Sequence, residues 1–129
     1  MQREKANPYQ AEKKRQGGPE HEYWKYRIAE HLRNKGYEIE IESPIGEGKT
    51  IDIVASKDGQ RLAIEIETGK SDVFENVLKN INHECSKIVM IAMNDKIEKA
   101  ILLKLKENLL SQFYDVEVFR LDKYLKIKQ

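Results

Sequence analysis

The sequence predicts an α/β domain: a mixed central sheet with helices packed on both faces, in the order αβββαβαβ. Three observations carry this. Residues 19–35 repeat apolar side chains at helical spacing. Residues 37–67 hold three short strand-like runs separated by turn residues, and residues 87–93 contain Ile-Val-Met-Ile-Ala, a run suited to a strand covered on both sides.

Length and composition bound the answer further. A chain of 129 residues is enough for one domain with its own core, without metal or disulfide staples. The net charge of +1 excludes a broadly basic surface but not a basic rim around an acidic site. Cys85 is the single cysteine, which rules out an intramolecular disulfide and fits a reducing compartment. With no apolar run long enough for a membrane span and no signal-like start, the expectation is a cytoplasmic protein with no membrane association.

Residues 1–18 carry five basic and two acidic residues, a proline and a closing Gly-Gly, and too few aliphatics to fold alone. They read as a basic N-terminal arm or linker, and residues 19–129 as the single domain. Lys13, Lys14 and Arg15 could touch phosphates, although a solvated tail is the better explanation on sequence alone.

From Pro19 to Lys35, Tyr23, Trp24, Ile28, Ala29 and Leu32 form the apolar stripe of the first helix, which Gly36 stops. Glu20 and Glu22 lie in its first turn, where the helix dipole favours negative charge. Tyr37–Glu42 alternates as a half-buried strand, Ser43–Lys49 reads as a loop, and Thr50–Ala55 and Arg61–Glu67 read as strands about a turn at Lys57–Gln60. A second helix is expected to open at Gly69–Asp72, with Val73, Phe74, Val77, Leu78 and Ile81 buried. After the Lys87–Met93 strand come a helix from Asp95 to about Leu110, with Ile97, Ala100, Ile101, Leu105 and Leu109 inward, a short strand at Val116–Phe119 and a helical turn from Leu121.

Two glycine-rich segments, Gly46–Thr50 and Gly69–Ser71, lack the earlier glycine and the strand-to-helix setting of a phosphate-binding loop. His21, His31, His83 and Cys85 lack paired zinc-ligand spacing. The acids of the meander are different. Glu65 and Glu67 share one side of a strand, and a hairpin centred between Asp58 and Gly59 sets Asp52 nearly opposite Glu65, with Cβ atoms about 4.5–5.5 Å apart. Like charges so placed repel, and a hard divalent cation such as Mg²⁺ or Mn²⁺ is the usual remedy. The plainer alternative is a solvated acidic sheet face paired with Lys and Arg.

These residues resemble the PD-(D/E)XK nuclease superfamily, in particular its small archaeal Holliday-junction-resolvase-like and restriction-endonuclease-like members. Ile51-Asp52 stands in the place of Pro-Asp, and Glu65-Ile66-Glu67 in the place of the (D/E)-x-K triplet. The phrases His21–Lys25 and Glu65–Ser71 are also similar to domains at the ends of archaeal and bacterial conjugation-type ATPases. The resemblance implies a restriction-endonuclease-like αβββαβ core and a DNA endonuclease using Mg²⁺ or Mn²⁺, with Asp52 and Glu65 as ligands, the Ile66 carbonyl as a further one, and Glu22, or alternatively Glu20, as the upstream acid.

Position 67 departs from the family, which usually has Lys there. Glu67 could accept a proton or bind a second metal, and Lys70 could supply the missing cation. Phosphate contacts are expected from Lys25, Lys49, Lys70 and the arm, reading the backbone rather than bases. The alternative is a DNA-binding or partner-docking module of the same fold without turnover, beside a motor ATPase. A homodimer is a further expectation, since paired sites cut two strands.

Overall fold

The computed structural model describes residues 18–46, 48–69, 75, 85–108, 112 and 114–126. Its elements are α1 (Pro19–Arg33), β1 (Glu38–Gly46), β2 (Lys49–Lys57), β3 (Gln60–Glu67), β4 (Lys87–Ala92), α2 (Asp95–Glu107), β5 (Val116–Arg120) and α3 (Leu121–Tyr124). The arm up to residue 17, Lys70, His83, Leu109 and the buried stripe expected for a helix after Gly69 lie outside the described residues.

α1 starts with a proline in its first turn and ends at a glycine. Gly36, at φ 95°, allows Tyr37 N–H to reach the Leu32 carbonyl and Gly36 N–H that of Arg33, which closes the helix and turns the chain into β1. Asp58 and Gly59, at φ 53° and 80°, form the turn between β2 and β3, and two consecutive positive φ values match the right-handed twist of a hairpin.

The five strands lie in chain order. β1, β2 and β3 form an antiparallel meander, whereas β3–β4 and β4–β5 are parallel, so the sheet is mixed as expected. β1 is longer than its alternation suggests: Ser43 and Pro44 continue the ladder against Ile51 and Thr50. Proline is tolerated there because β1 is an edge strand, with one side needing no ladder donor.

Helices cover both faces. On one, Ile28, Ala29 and Leu32 of α1 and Leu121 of α3 pack on Ile53, Ala55, Ile64, Ile66, Val89 and Ile91. On the other, Ile101 and Leu105 of α2 pack on Ile88, Met90 and Ala92, while Ile51, Val54 and Ala63 make a separate small cluster. Ala100, expected inward, is exposed, because the narrow contact stripe of α2 runs through Ile97, Ile101 and Leu105.

Tyr124 closes the first core, with its ring 5.3 Å from Phe119 and 5.5 Å from His31. Burial, followed by the nearby Tyr37 and Glu117, pushes its phenol up to about 12. A phenol that folding keeps protonated stabilises the fold below its ordinary value of 10.0 and loses that contribution as pH rises towards 12. Denaturation midpoints measured along an alkaline series should therefore fall less steeply for Tyr124→Phe than for wild type.

Candidate functional site

The inward face of α1 changes character along its length. Its buried residues are His21, Glu22, Lys25, Ile28, Ala29 and Leu32. Helical spacing thus puts His21 and Lys25 in line with Ile28 and Leu32, and the apolar half of the face docks the helix while the polar half meets β1 and β2. Tyr23, expected in the apolar stripe, is 53% exposed. A hydrophobic stripe drawn through the aromatics had rotated the face by about one residue.

What the polar half meets is a break in the sheet. The ladder pairs Ile41 with Ile53 and Ser43 with Ile51 but passes over Glu42 and Asp52, and Glu42 has φ 55°. The β2–β3 pairs keep the expected hairpin register, then stop at Ile53↔Ile64. Strict alternation would put Ile51 beneath α1 with Ile53. Instead Ile51 packs with Val54 and Ala63, and Asp52 turns towards α1.

This corrects the expected placement of Asp52 beside Glu65 and Glu67 on one face. Glu65 and Glu67 lie level with Met90 and Ala92, on the α2 side of the sheet, and Ile64 and Ile66 lie on the α1 side. Asp52 is nevertheless next to β3: its Oδ2 accepts a 2.8 Å hydrogen bond from the Ile66 N–H, one peptide link from Glu65. Its side chain occupies the position that a ladder carbonyl would have filled.

The same Oδ2 lies 3.2 Å from His21 Nε2. Burial would raise the Asp52 pKa, but the His21 hydrogen bond and charge, the Ile66 N–H and the charge of Lys25 outweigh it and hold the carboxyl below its ordinary value. Burial likewise would lower the His21 pKa, and its hydrogen bond to Asp52 with the Asp52 charge holds it raised. His21 Nδ1 is buried without a hydrogen-bond partner among the described residues and lies 3.9 Å from Glu22 Oε2.

Lys25 is expected as a phosphate contact, but it is 1% exposed. Its ammonium bridges Glu22, at 2.5 Å, and Glu42. Burial acts to lower its pKa, and the two carboxylates outweigh this and raise it. An ammonium so enclosed neutralises these acids and is not presented to a solvent-borne phosphate. Lys49 stands exposed at the start of β2 and Glu20 is exposed on α1. Among the described residues, no group of three or more His, Cys, Asp or Glu side chains is placed to hold a metal ion.

Sequence reasoning missed His21 and Glu42 as partners of this cluster. The helical spacing of His21, Lys25, Ile28 and Leu32 was a usable signal for the first; nothing local announces that Glu42 adopts a left-handed backbone. No family model, curated protein or solved structure matches this chain. Fold and site define an α/β protein with a five-stranded mixed sheet and a buried, charged seam between its first helix and its meander. Among the described residues no helix is long and apolar enough to cross a membrane.

Proposed function

We propose that this chain is a DNA-acting domain of the restriction-endonuclease-like class, a metal-dependent endonuclease whose reacting centre lies at the opening between β2 and β3. The observation that carries the reading is the presentation of Asp52. Among the described residues, both of its hydrogen bonds, from Ile66 N–H and with His21 Nε2, fall on Oδ2, which orients the carboxylate and leaves Oδ1 as the oxygen for a cation. Its lowered pKa keeps it ionised, as a hard cation requires. The helix, the antiparallel meander and the parallel fourth strand also follow the order that the resemblance calls for.

The Asp52 carboxylate suits Mg²⁺ or Mn²⁺, but Glu65, the adjacent acid on β3, lies on the α2 side of the sheet and Lys25 holds an oxygen of Glu22, so the described side chains do not by themselves complete a metal site. Such an ion, when bound, polarises a phosphodiester and activates a water. The chain's own groups orient Asp52 through Ile66 N–H and His21, and the His21 hydrogen bond and charge, then the Ile66 N–H and Lys25, keep it charged against burial. Glu67, 2% exposed where the family usually has Lys, gives the site a carboxylate in place of a cation. That substitution favours a second reading, a DNA-binding or partner-docking module of the same fold beside a motor ATPase.

Cleavage of supercoiled and branched DNA with Mn²⁺ or Mg²⁺ decides between them. The endonuclease reading expects cleavage that falls at least about 100-fold in Glu65→Ala, the size of effect expected when a group stabilising the transition state is removed. Mn²⁺ binding with no cleavage of either DNA would leave the docking module, and cleavage unchanged in Glu65→Ala would sink the assigned centre.

A further inference from the structure

The outer face of α1 carries side chains that neither the core nor the buried seam uses. Tyr23 and Tyr26 are each 53% exposed, and Arg27 is exposed beside them. Helical spacing joins them into one patch, since Tyr26 and Arg27 both stand one turn beyond Tyr23. Arg27 is held in place: its Nη1 donates a 2.9 Å hydrogen bond to the Tyr23 hydroxyl, and its guanidinium carbon lies 5.8 Å from the ring centres of Tyr23 and Trp24. Those two rings meet edge to face at 4.9 Å, and Trp24, half-buried, anchors them on the core beneath α1. Among the described residues Arg27 makes no ion pair, although Glu30 is exposed one turn further along. A guanidinium fixed by rings rather than by a carboxylate keeps the rest of its donor fork for an anion.

We propose that this patch seats single-stranded DNA beside Asp52: a base stacks on the exposed Tyr23 ring, Arg27 takes the adjoining phosphate, and Tyr26 offers a second ring. DNA as the occupant rests on the DNA-acting reading of the chain. The unpaired cation complements a phosphate, and an aromatic face accepts any base. In a duplex the base faces already cover one another, so the same chemistry selects unpaired nucleotides. The patch holds no exposed aliphatic side chain, which suits bases and phosphate better than the apolar centre of a protein interface. Its position fits as well. Trp24 lies one turn from His21, whose Nε2 is held at Asp52. From His21 to Arg27 the helix rises roughly 9 Å, about the axial length of two to three nucleotides of one strand. The seat thereby gives the proposed endonuclease a substrate class, DNA with an unpaired segment next to the cut.

Trp24 is the only tryptophan of the chain, so its fluorescence reports on this patch alone. The full chain is titrated in EDTA, which blocks metal-dependent cleavage, with a single-stranded oligothymidylate and with a duplex of equal length. The single strand is expected to quench Trp24 and to bind more tightly than the duplex. Tyr23→Ala should raise its Kd about 5- to 100-fold, the size of one lost base–aromatic contact. Arg27→Lys, which keeps the charge but not the planar fork, should also weaken binding, and it carries the test alone if Tyr23→Ala does not fold. Lys99→Ala, on α2, should bind as wild type. No response of Trp24 to the single strand, or wild-type affinity in folded Tyr23→Ala, overturns the seat, and is the result expected if the patch serves a protein partner. A duplex that quenches equally and binds as tightly overturns the single-strand assignment. Binding that Tyr23→Ala weakens, with no cleavage in Mn²⁺, would support the seat and sink the endonuclease reading. Cleavage lost in Glu65→Ala but with wild-type KM in Tyr23→Ala would sink the seat and leave the centre.

Discussion

Replacing Lys25 by Met is expected to remove about 3–5 kcal/mol of stability, the range seen when one member of a buried ion pair is deleted. The reason is what stays behind: Glu22 and Glu42 would face each other across the seam between α1 and β1 without the Lys25 ammonium that bridges them. The measurement is a urea midpoint that falls at unchanged slope. Adding Glu42→Gln should recover part of the loss, because it removes one of the repelling charges. By contrast, Lys99→Met should be nearly silent, since Lys99 and Asp95 pair in the open, at 76% and 53% exposure, where such pairs contribute at most about 1 kcal/mol. The raised pKa of Lys25 sets the sign at high pH. Its contribution is complete below its ordinary value of 10.5 and disappears as pH rises through the higher folded value.

Asp52→Ala should cost about 2–4 kcal/mol and Asp52→Asn about 1, because an asparagine oxygen can still accept from the Ile66 N–H whereas alanine strands that donor and His21 together. The pair also dictates a pH window in the metal-free protein. Asp52 is depressed, so its contribution is present above its ordinary value of 3.8 and is lost as pH falls through the folded value. His21 is raised, so its contribution is present below its ordinary 6.5 and is lost as pH rises through the folded value. The difference in stability between wild type and Asp52→Ala should therefore be largest in mild acid, between these two values, and narrow on either side. A difference that grows steadily with alkalinity would show that the His21 contact does not form.

The elements were legible in the sequence where one local rule decides the outcome. Lys57–Gln60 reads as a turn because Asp-Gly suits two successive positive φ values, and that alone fixed the register of β2 against β3. The covered strand at β4 followed from its unbroken apolar run. The site was less legible, for two physical reasons. Assigning a face by alternation assumes an unbroken strand, and the kink at Glu42 and Asp52 depends on contacts with a helix about twenty to thirty residues away. A hydrophobic stripe also cannot reveal buried charges that pay for their desolvation by pairing, so His21, Glu22 and Lys25 stand outside the expected apolar stripe although they form half of the inner face of α1. Asp52, Glu65 and Glu67 stand out in the sequence as acids set between aliphatic neighbours, but the face that each takes does not.

The change from antiparallel to parallel pairing at β3 also orders how the fold is assembled. β2 and β3 join through a two-residue turn, whereas β4 meets β3 at Leu62↔Lys87 and β5 meets β4 at Ile88↔Val116, so these later pairings must close much longer loops. Until β4 docks, β3 is an edge of the meander, with its backbone donors and acceptors open to chance pairing with another chain. Charges on such a strand discourage edge-to-edge addition. Glu65 and Glu67 are carried on that strand, so acids that the finished protein encloses would guard an unfinished one against aggregation.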